Sequence, residues 1–329
     1  MARILFVLLA LFSTPVGAES GGHRIFAPVE GLQDLRAGPD GGVLLKAQGR
    51  WRHLRIDGSK IVFAPSNASG PAVPNDAIPH SRVAAGTRDI RLAWLADATG
   101  RYGHGVLGDA VEAGALRVRT AAGQTLRYVL ADEYVFEDLE PRLADIDGDG
   151  TDEVLLVRSH ETRGAAAVLL GIRGGKLVLV AESDEIGLAN RWLNPVGIAD
   201  FDGDGANEVA VVETPHIGGW LLLFEREGRT LREVARRPGY STHVIGSTVL
   251  AMASIFDVDG DGVSDILLPR QDLRALEAVS FAKGTFRELA GVGLKSRIAS
   301  AVVLGDVDGR GRPDTVFWDT SARIHVILR

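Results

Sequence analysis

The chain has 329 residues, 46% hydrophobic and 24% charged, with 40 glycines, no cysteine and a formal charge of −7. That balance excludes a disordered chain, a disulfide-stapled scaffold and thiol chemistry. The glycine content implies frequent turns, and frequent turns imply many short strands.

Residues 1–18 read as a signal peptide. Arg3 gives a positive start, Ile4–Phe12 is an apolar run too short to span a bilayer, and Val16-Gly17-Ala18 offers small residues for cleavage. The expectation is an exported protein, periplasmic or secreted. Its mature part, 19–329, forms a single domain with no membrane span. The segment near His23, HRIFAPV, reads as a strand. The sequon Asn67-Ala68-Ser69 marks a surface loop.

The stretch Ala96–Val118 is dense in polar groups: Asp97, Arg101, Tyr102, His104, Asp109 and Glu112. It contains Gly103-x-Gly105-x-x-Gly108, which spells a dinucleotide fingerprint. No strand–turn–helix context surrounds it, so these glycines read as turn formers. A pairing of His104 with Asp109 is one way a histidine and a carboxylate could meet here.

From Asp145 a pattern repeats. The segments ADIDGDGTDEVLLV, ADFDGDGANEVAVV, FDVDGDGVSDILL and GDVDGRGRPDTVFW begin their acidic runs at Asp145, Asp200, Asp257 and Asp306, at intervals of 55, 57 and 49 residues. After each acidic loop comes an apolar strand, a polar loop, a second strand, a glycine turn such as Arg173-Gly174-Gly175-Lys176, and a further strand. One strand precedes each loop. Four strands at a period near fifty match the blade of a β-propeller. The chain is long enough for six blades, with seven as the alternative count, and the repeats are clearest over 142–329. The last repeat ends soon after its third strand, so the expected fold is an all-β propeller of four-stranded blades closed by the N-terminal strand near His23.

The acidic loops read as calcium sites, because alternating oxygens on a tight loop suit a hard cation. Counting from the first aspartate, carboxylates fall at positions 1, 3, 5 and 9, and position 7 offers a backbone carbonyl. The first loop supplies Asp145, Asp147, Asp149, Thr151 and Glu153. The second supplies Asp200, Asp202, Asp204, Ala206 and Glu208. The third supplies Asp257, Asp259, Asp261, Val263 and Asp265. Position 12 is Leu156, Val211 or Leu268, and a strand follows, so these are not EF-hands. In the fourth loop Arg310 holds position 5, where it can pair with Asp306 and Asp308 and replace the ion; about three Ca2+ sites are expected, with the fourth loop empty. Without the twelve carboxylates of the first three loops the formal charge of −7 would be +5. The acidity belongs to the loops.

The loops DIDGDGTDEV, DFDGDGANEV and DVDGDGVSDI resemble the calcium loops of FG-GAP/VCBS repeats, the repeats of the integrin α N-terminal propeller. The resemblance covers about Arg142–Arg329. It implies a calcium-bearing propeller and leaves the ligand open, since the family includes adhesion proteins, lectin-like binders and propellers attached to enzymes. In propellers of this kind the face opposite the calcium loops receives ligands. Loops between blades, and between second and third strands, would place Arg142, His160, Arg163, Arg191, Trp192, His216, Tyr240, His243, Arg270 and Arg297 there.

No nucleophile elbow, zinc helix or phosphate loop occurs, and the interleaved basic and aromatic patches of a nucleic-acid binder are absent. The favoured reading is a non-enzymatic binding module for a protein or saccharide. A polysaccharide-active enzyme with a site at the central channel, drawing on carboxylates among Asp97, Asp109, Glu112, Asp132 and Glu133, or a structural part of a cell-envelope assembly, are the alternatives.

Overall fold

In the computed structural model the described residues are 15–18, 22–68 and 70–329. The signal-peptide reading falls mostly outside them. The exception is Pro15–Ala18, a short strand paired with His23–Pro28. Among the described residues the chain is all β, with one short 3-10 turn at Ala282–Gly284. No helix among them is long and apolar enough to cross a membrane.

The contacts divide the chain into two units: the described residues up to 68 together with Lys295–Arg329, and Gly70–Leu294. In the first unit Leu32–Ala37, Val43–Ala47, Arg50–Asp57 and Lys60–Pro65 form an antiparallel sheet in chain order. A second sheet takes Val303–Gly305, Asp314–Trp318 and Arg323–Ile327 from the C-terminal part and adds His23–Pro28 as its fourth strand. The register pairs His23 with Ile327 and Ile25 with His325. The strand expected near His23 therefore joins the last repeat.

The second unit holds four meanders of four antiparallel strands. The first contains Ala84–Ala85, Ile90–Thr99, Glu112–Thr120 and Thr125–Val129. The second contains Arg142–Ala144, Glu153–His160, Gly164–Arg173 and Lys176–Glu182. The third contains Leu193–Ala199, Glu208–Glu213, Trp220–Glu227 and Thr230–Pro238. The fourth contains Ser254–Phe256, Asp265–Pro269, Ala275–Ser280 and Arg287–Gly293. Three are stitched into one curled sheet: Tyr134–Phe136 pairs with two neighbours, and Glu182 bridges Thr230 in parallel.

The burial pattern explains the composition. The inner strands Glu153–His160 and Gly164–Arg173 are buried almost throughout, so they read as continuous apolar runs. Outer strands such as Thr230–Pro238 are largely exposed and polar. The turn between Arg173 and Lys176 is two residues long, and Gly174 and Gly175 both have positive φ (59° and 74°), as a twisted hairpin requires. The Ala96–Val118 stretch spans two adjacent strands and their connection, in which Gly105 and Gly108 make turns at φ 64° and 102°.

Candidate functional site

Each acidic loop joins the first and second strands of its meander. Four loops share one scaffold. The position-1 aspartate accepts from the position-6 glycine amide at 2.9–3.0 Å (Asp145–Gly150, Asp200–Gly205, Asp257–Gly262, Asp306–Gly311). The position-9 carboxylate accepts from the position-2 amide (Glu153–Ile146 3.3 Å, Glu208–Phe201 2.8 Å, Asp265–Val258 2.8 Å, Asp314–Val307 3.1 Å). These bonds fold the loop so that its carboxylates converge. Oxygens of Asp145, Asp147 and Glu153 lie within 4.8 Å of one another, as do those of Asp200, Asp202 and Asp204, of Asp257, Asp259 and Asp265, and of Asp306, Asp308 and Asp314. Several of these groups could hold a metal ion.

The scaffold leaves specific oxygens over. Asp145 Oδ1, Glu208 Oε1 and Asp265 Oδ1 are buried without a hydrogen-bond partner. A buried carboxylate oxygen without a donor is costly, and a hard cation satisfies it. The residues therefore fit an oxygen-seeking ion in the first three loops. The fourth differs. Asp314 accepts from Val307 N–H through one oxygen and from Arg329 N–H (3.1 Å) through the other. Arg310 pairs with Asp308 and holds its carboxyl below the usual range.

Protein cations also reach the loops, a feature not read from the sequence. Arg173 lies 2.7 Å from Glu153 and 3.5 Å from Asp149, and Arg226 pairs with Asp147. Arg287 lies 3.0 Å from Asp259. The second loop has no such help: among the described residues no cationic nitrogen lies within 4.0 Å of Asp200, Asp202, Asp204 or Glu208. Burial, with Asp202, Asp200 and Asp204 nearby, pushes the Glu208 carboxyl up to about 7. This loop holds the most uncompensated negative charge.

The residues expected on a ligand face separate into three groups. Arg142 is 2.8 Å from buried Asp138, Arg270 is 2.9 Å from Glu277, and the Tyr240 hydroxyl accepts from Arg237 at 3.0 Å. Tyr240 is fully buried, and His160 packs edge-on against Tyr134. Arg163 pairs with Glu185 and donates to the Tyr134 hydroxyl at 2.7 Å. Arg297 is exposed in the other unit. These side chains hold the fold or stand apart.

Arg191, Trp192, His216 and His243 do come together. Arg191, Trp192 and His216 line a pocket of about 200 Å³ with His104. His216 Nε2 meets His243 Nδ1 at 2.9 Å, and His243 Nε2 donates to the Ser247 carbonyl at 2.8 Å. That chain fixes both rings in neutral tautomers, and burial takes both pKa values down to about 4. Trp192 stacks on His216, and its indole N–H donates to the Glu137 carbonyl at 2.9 Å.

His104 does not meet Asp109. Its Nδ1 lies 2.6 Å from Oε1 of Glu137, which is fully buried and also accepts from the Ser159 hydroxyl. Asp109 lies instead 3.7 Å from His80. Burial pushes Glu137 up, against the pull of His104 and Ser159. Near it Glu112 is buried with both oxygens unpartnered, and burial and the charge of Glu137 push it up to about 9.

Fold and loops together define an all-β repeat protein whose first-to-second strand loops are cages of carboxylates. Residues 145–211 match the FG-GAP-like repeat family, so the chain carries an FG-GAP-like repeat across its first two acidic loops. A search of curated proteins finds no match. Among solved structures, similarity is found to one described as a streptogramin B lyase, at 12% identity over 92% of this chain and 96% of that chain with a TM-score of 0.47. Similarity is also found to the rhamnogalacturonan lyase YesW, at 15% identity over 90% of this chain and 59% of that chain with a TM-score of 0.38.

Proposed function

We propose that the chain is an exported FG-GAP-type propeller of six four-stranded blades that forms one domain. Calcium braces it, and it works as a non-enzymatic binding module for a protein or a saccharide. The observation that carries this reading is the orphaned buried carboxylate oxygen in each of the first three acidic loops. Asp145, Asp147, Asp149 and Glu153 would hold one ion, Asp200, Asp202, Asp204 and Glu208 a second, and Asp257, Asp259, Asp261 and Asp265 a third, with the carbonyls of Thr151, Ala206 and Val263 as neutral ligands. Bound calcium supplies positive charge that lets the carboxylates pack without repulsion. It does no chemistry. The fourth loop stays empty because Arg310 is its cation. The pairing of His23–Pro28 with Arg323–Ile327 supports ring closure by the N-terminal strand.

Thermal melting of the chelated chain, titrated with calcium and separately with magnesium, tests this. A calcium-selective rise is expected; a site loaded to a hundred times its dissociation constant adds about 2.7 kcal/mol. An equal response to magnesium, or none, overturns the calcium brace.

The buried, unpartnered Glu112 supports a second reading, a polysaccharide-active enzyme that uses this acid. A polysaccharide-cleaving activity lost in Glu112→Gln, in a chain that melts no lower than the parent, would favour it over the binding module.

A further inference from the structure

The pocket beside His104 is built at the expense of local backbone comfort. Two of its lining residues, Asn190 and Thr214, adopt left-handed φ values of 55° and 45°. Asparagine tolerates that region, but a β-branched threonine does so only under constraint. The constraint is visible. Thr214 N–H donates to the Trp192 carbonyl at 2.8 Å, Ile217 N–H donates to the Thr214 carbonyl at 2.9 Å, and the Thr214 hydroxyl donates to the Ile217 carbonyl at 3.0 Å. This network locks the loop against the tryptophan.

The pocket lining mixes apolar and polar side chains, and its charge is one-sided. Ile217 and Ile245 line it and are 65% and 68% exposed, whereas Trp192 is buried, its indole N–H held by the Glu137 carbonyl. Burial takes the His216 pKa down to about 4, so at neutral pH it contributes no charge. Arg191 does. Among the described residues no carboxylate lies within 4.0 Å of its guanidinium, whereas Arg142, Arg158, Arg163 and Arg173 of the same unit are all paired. His104 has Nδ1 engaged by Glu137, which leaves Nε2 as its second polar atom.

We propose that this pocket binds a carboxylate carried on a single compact ring, with the ring against Ile217 and Ile245 and the carboxylate on Arg191. His104 Nε2 is its second hydrogen-bond partner. A planar guanidinium pairs with a carboxylate through two parallel N–H bonds. Exposed aliphatic side chains receive one face of a ring. The volume, about 200 Å³, admits one ring and its substituents rather than a chain. A sugar acid and an aryl acid share this chemistry. The inference rests on reading the chain as a calcium-braced binding module, and it names the ligand of that module.

The test is isothermal titration of the calcium-loaded full chain with galacturonate, benzoate and, as the uncharged control, galactose. One of the two acids is expected to bind, with galactose weaker by about tenfold or more. The acid that binds identifies the ring as saccharide or aryl. Arg191→Gln, at a half-buried position with no carboxylate partner, is expected to leave melting unchanged and to weaken that acid by about tenfold, and His104→Gln by less. Equal binding of galactose, acid binding that survives Arg191→Gln, or no binding of either acid each overturns the assignment. The calcium-dependent melting shift is recorded on the same sample. A chain that shifts with calcium but ignores both acids keeps its brace and loses this ligand, and a chain that binds an acid without a calcium shift does the reverse.

Discussion

The side-chain amide of Asn207 donates to the backbone carbonyl of Asp145 at 2.9 Å, tying the second acidic loop to the first. Ser264 N–H donates to the Asp200 carbonyl at 3.3 Å and ties the third loop to the second. Both residues stand at the eighth position of their loops. In the fourth loop that position is Pro313, which has no amide hydrogen to give. Filling one loop with an ion therefore orders the carbonyl on which its neighbour hangs. Asn207→Ala is expected to make the calcium titration of melting less cooperative and to lower stability by about 1 kcal/mol. An unchanged titration slope would show that the loops act alone.

The Arg310 pairing makes a gain-of-site prediction. Arg310→Asp restores the carboxylate that the other three loops carry at position 5. Bound calcium, measured by equilibrium dialysis, is expected to rise by about one equivalent. Asp202→Asn with Asp204→Asn is expected to lower it by about one, with the largest loss of calcium-dependent stability of any loop, because no protein cation covers the second cage.

Acid should weaken the second unit through its histidine pair. His216 and His243 are depressed from 6.5 to about 4 by burial. Below pH 6.5 the unfolded chain takes up protons that the folded chain refuses. Their contribution is thus present above pH 6.5 and lost as the pH falls toward 4. Urea unfolding at stepped pH is expected to show a loss on the order of 1–3 kcal/mol across that window, reduced in His243→Gln. An equal slope in the variant would place the acid sensitivity elsewhere.

Alkali acts through Glu112 with the opposite sign. Its folded pKa of about 9 exceeds the ordinary 4.5, so the folded chain holds a proton that the unfolded chain releases. Its share of stability is full below 4.5 and falls as the pH rises toward 9. Glu112→Gln keeps the shape without the titration. It is expected to flatten stability over that range and to be more stable than the parent at pH 8 by roughly 1–3 kcal/mol.

The four-stranded meanders and acidic loops were legible because their signals are local. A run such as Asp200-Phe201-Asp202-Gly203-Asp204-Gly205 carries its own turn instructions, and both glycines do take positive φ (85° and 93°). The strand near His23 was legible because the last repeat was one strand short. The arginines that reach the loops were not. Arg173 and Arg226 act from the ends of strands in two successive meanders, and nothing in their spacing marks them as partners of Asp147. The His104–Glu137 pair joins residues 33 positions apart. Glu137 sits in Glu133–Glu140, a segment acidic enough to read as solvated surface, yet its carboxylate is fully buried. The one hint was the apolar Tyr134–Phe136 run before it. Tyr240 read as an exposed loop residue because burial across a corner leaves no periodic trace.

The pairing of His23–Pro28 with Arg323–Ile327 sets an order of assembly. His23 and His325 touch across 302 positions of chain, so His23–Pro28 and the strand it pairs with meet only across a long closing loop. Gly70–Leu294 is continuous in sequence and can complete its own sheets in the meantime. Through that interval the edge of His23–Pro28 that Arg323–Ile327 covers is unpaired, a template for joining another chain. A stop codon ahead of Arg323 would make that exposure permanent. Such a product would be recognised by its tendency to aggregate rather than by any defect in its acidic loops.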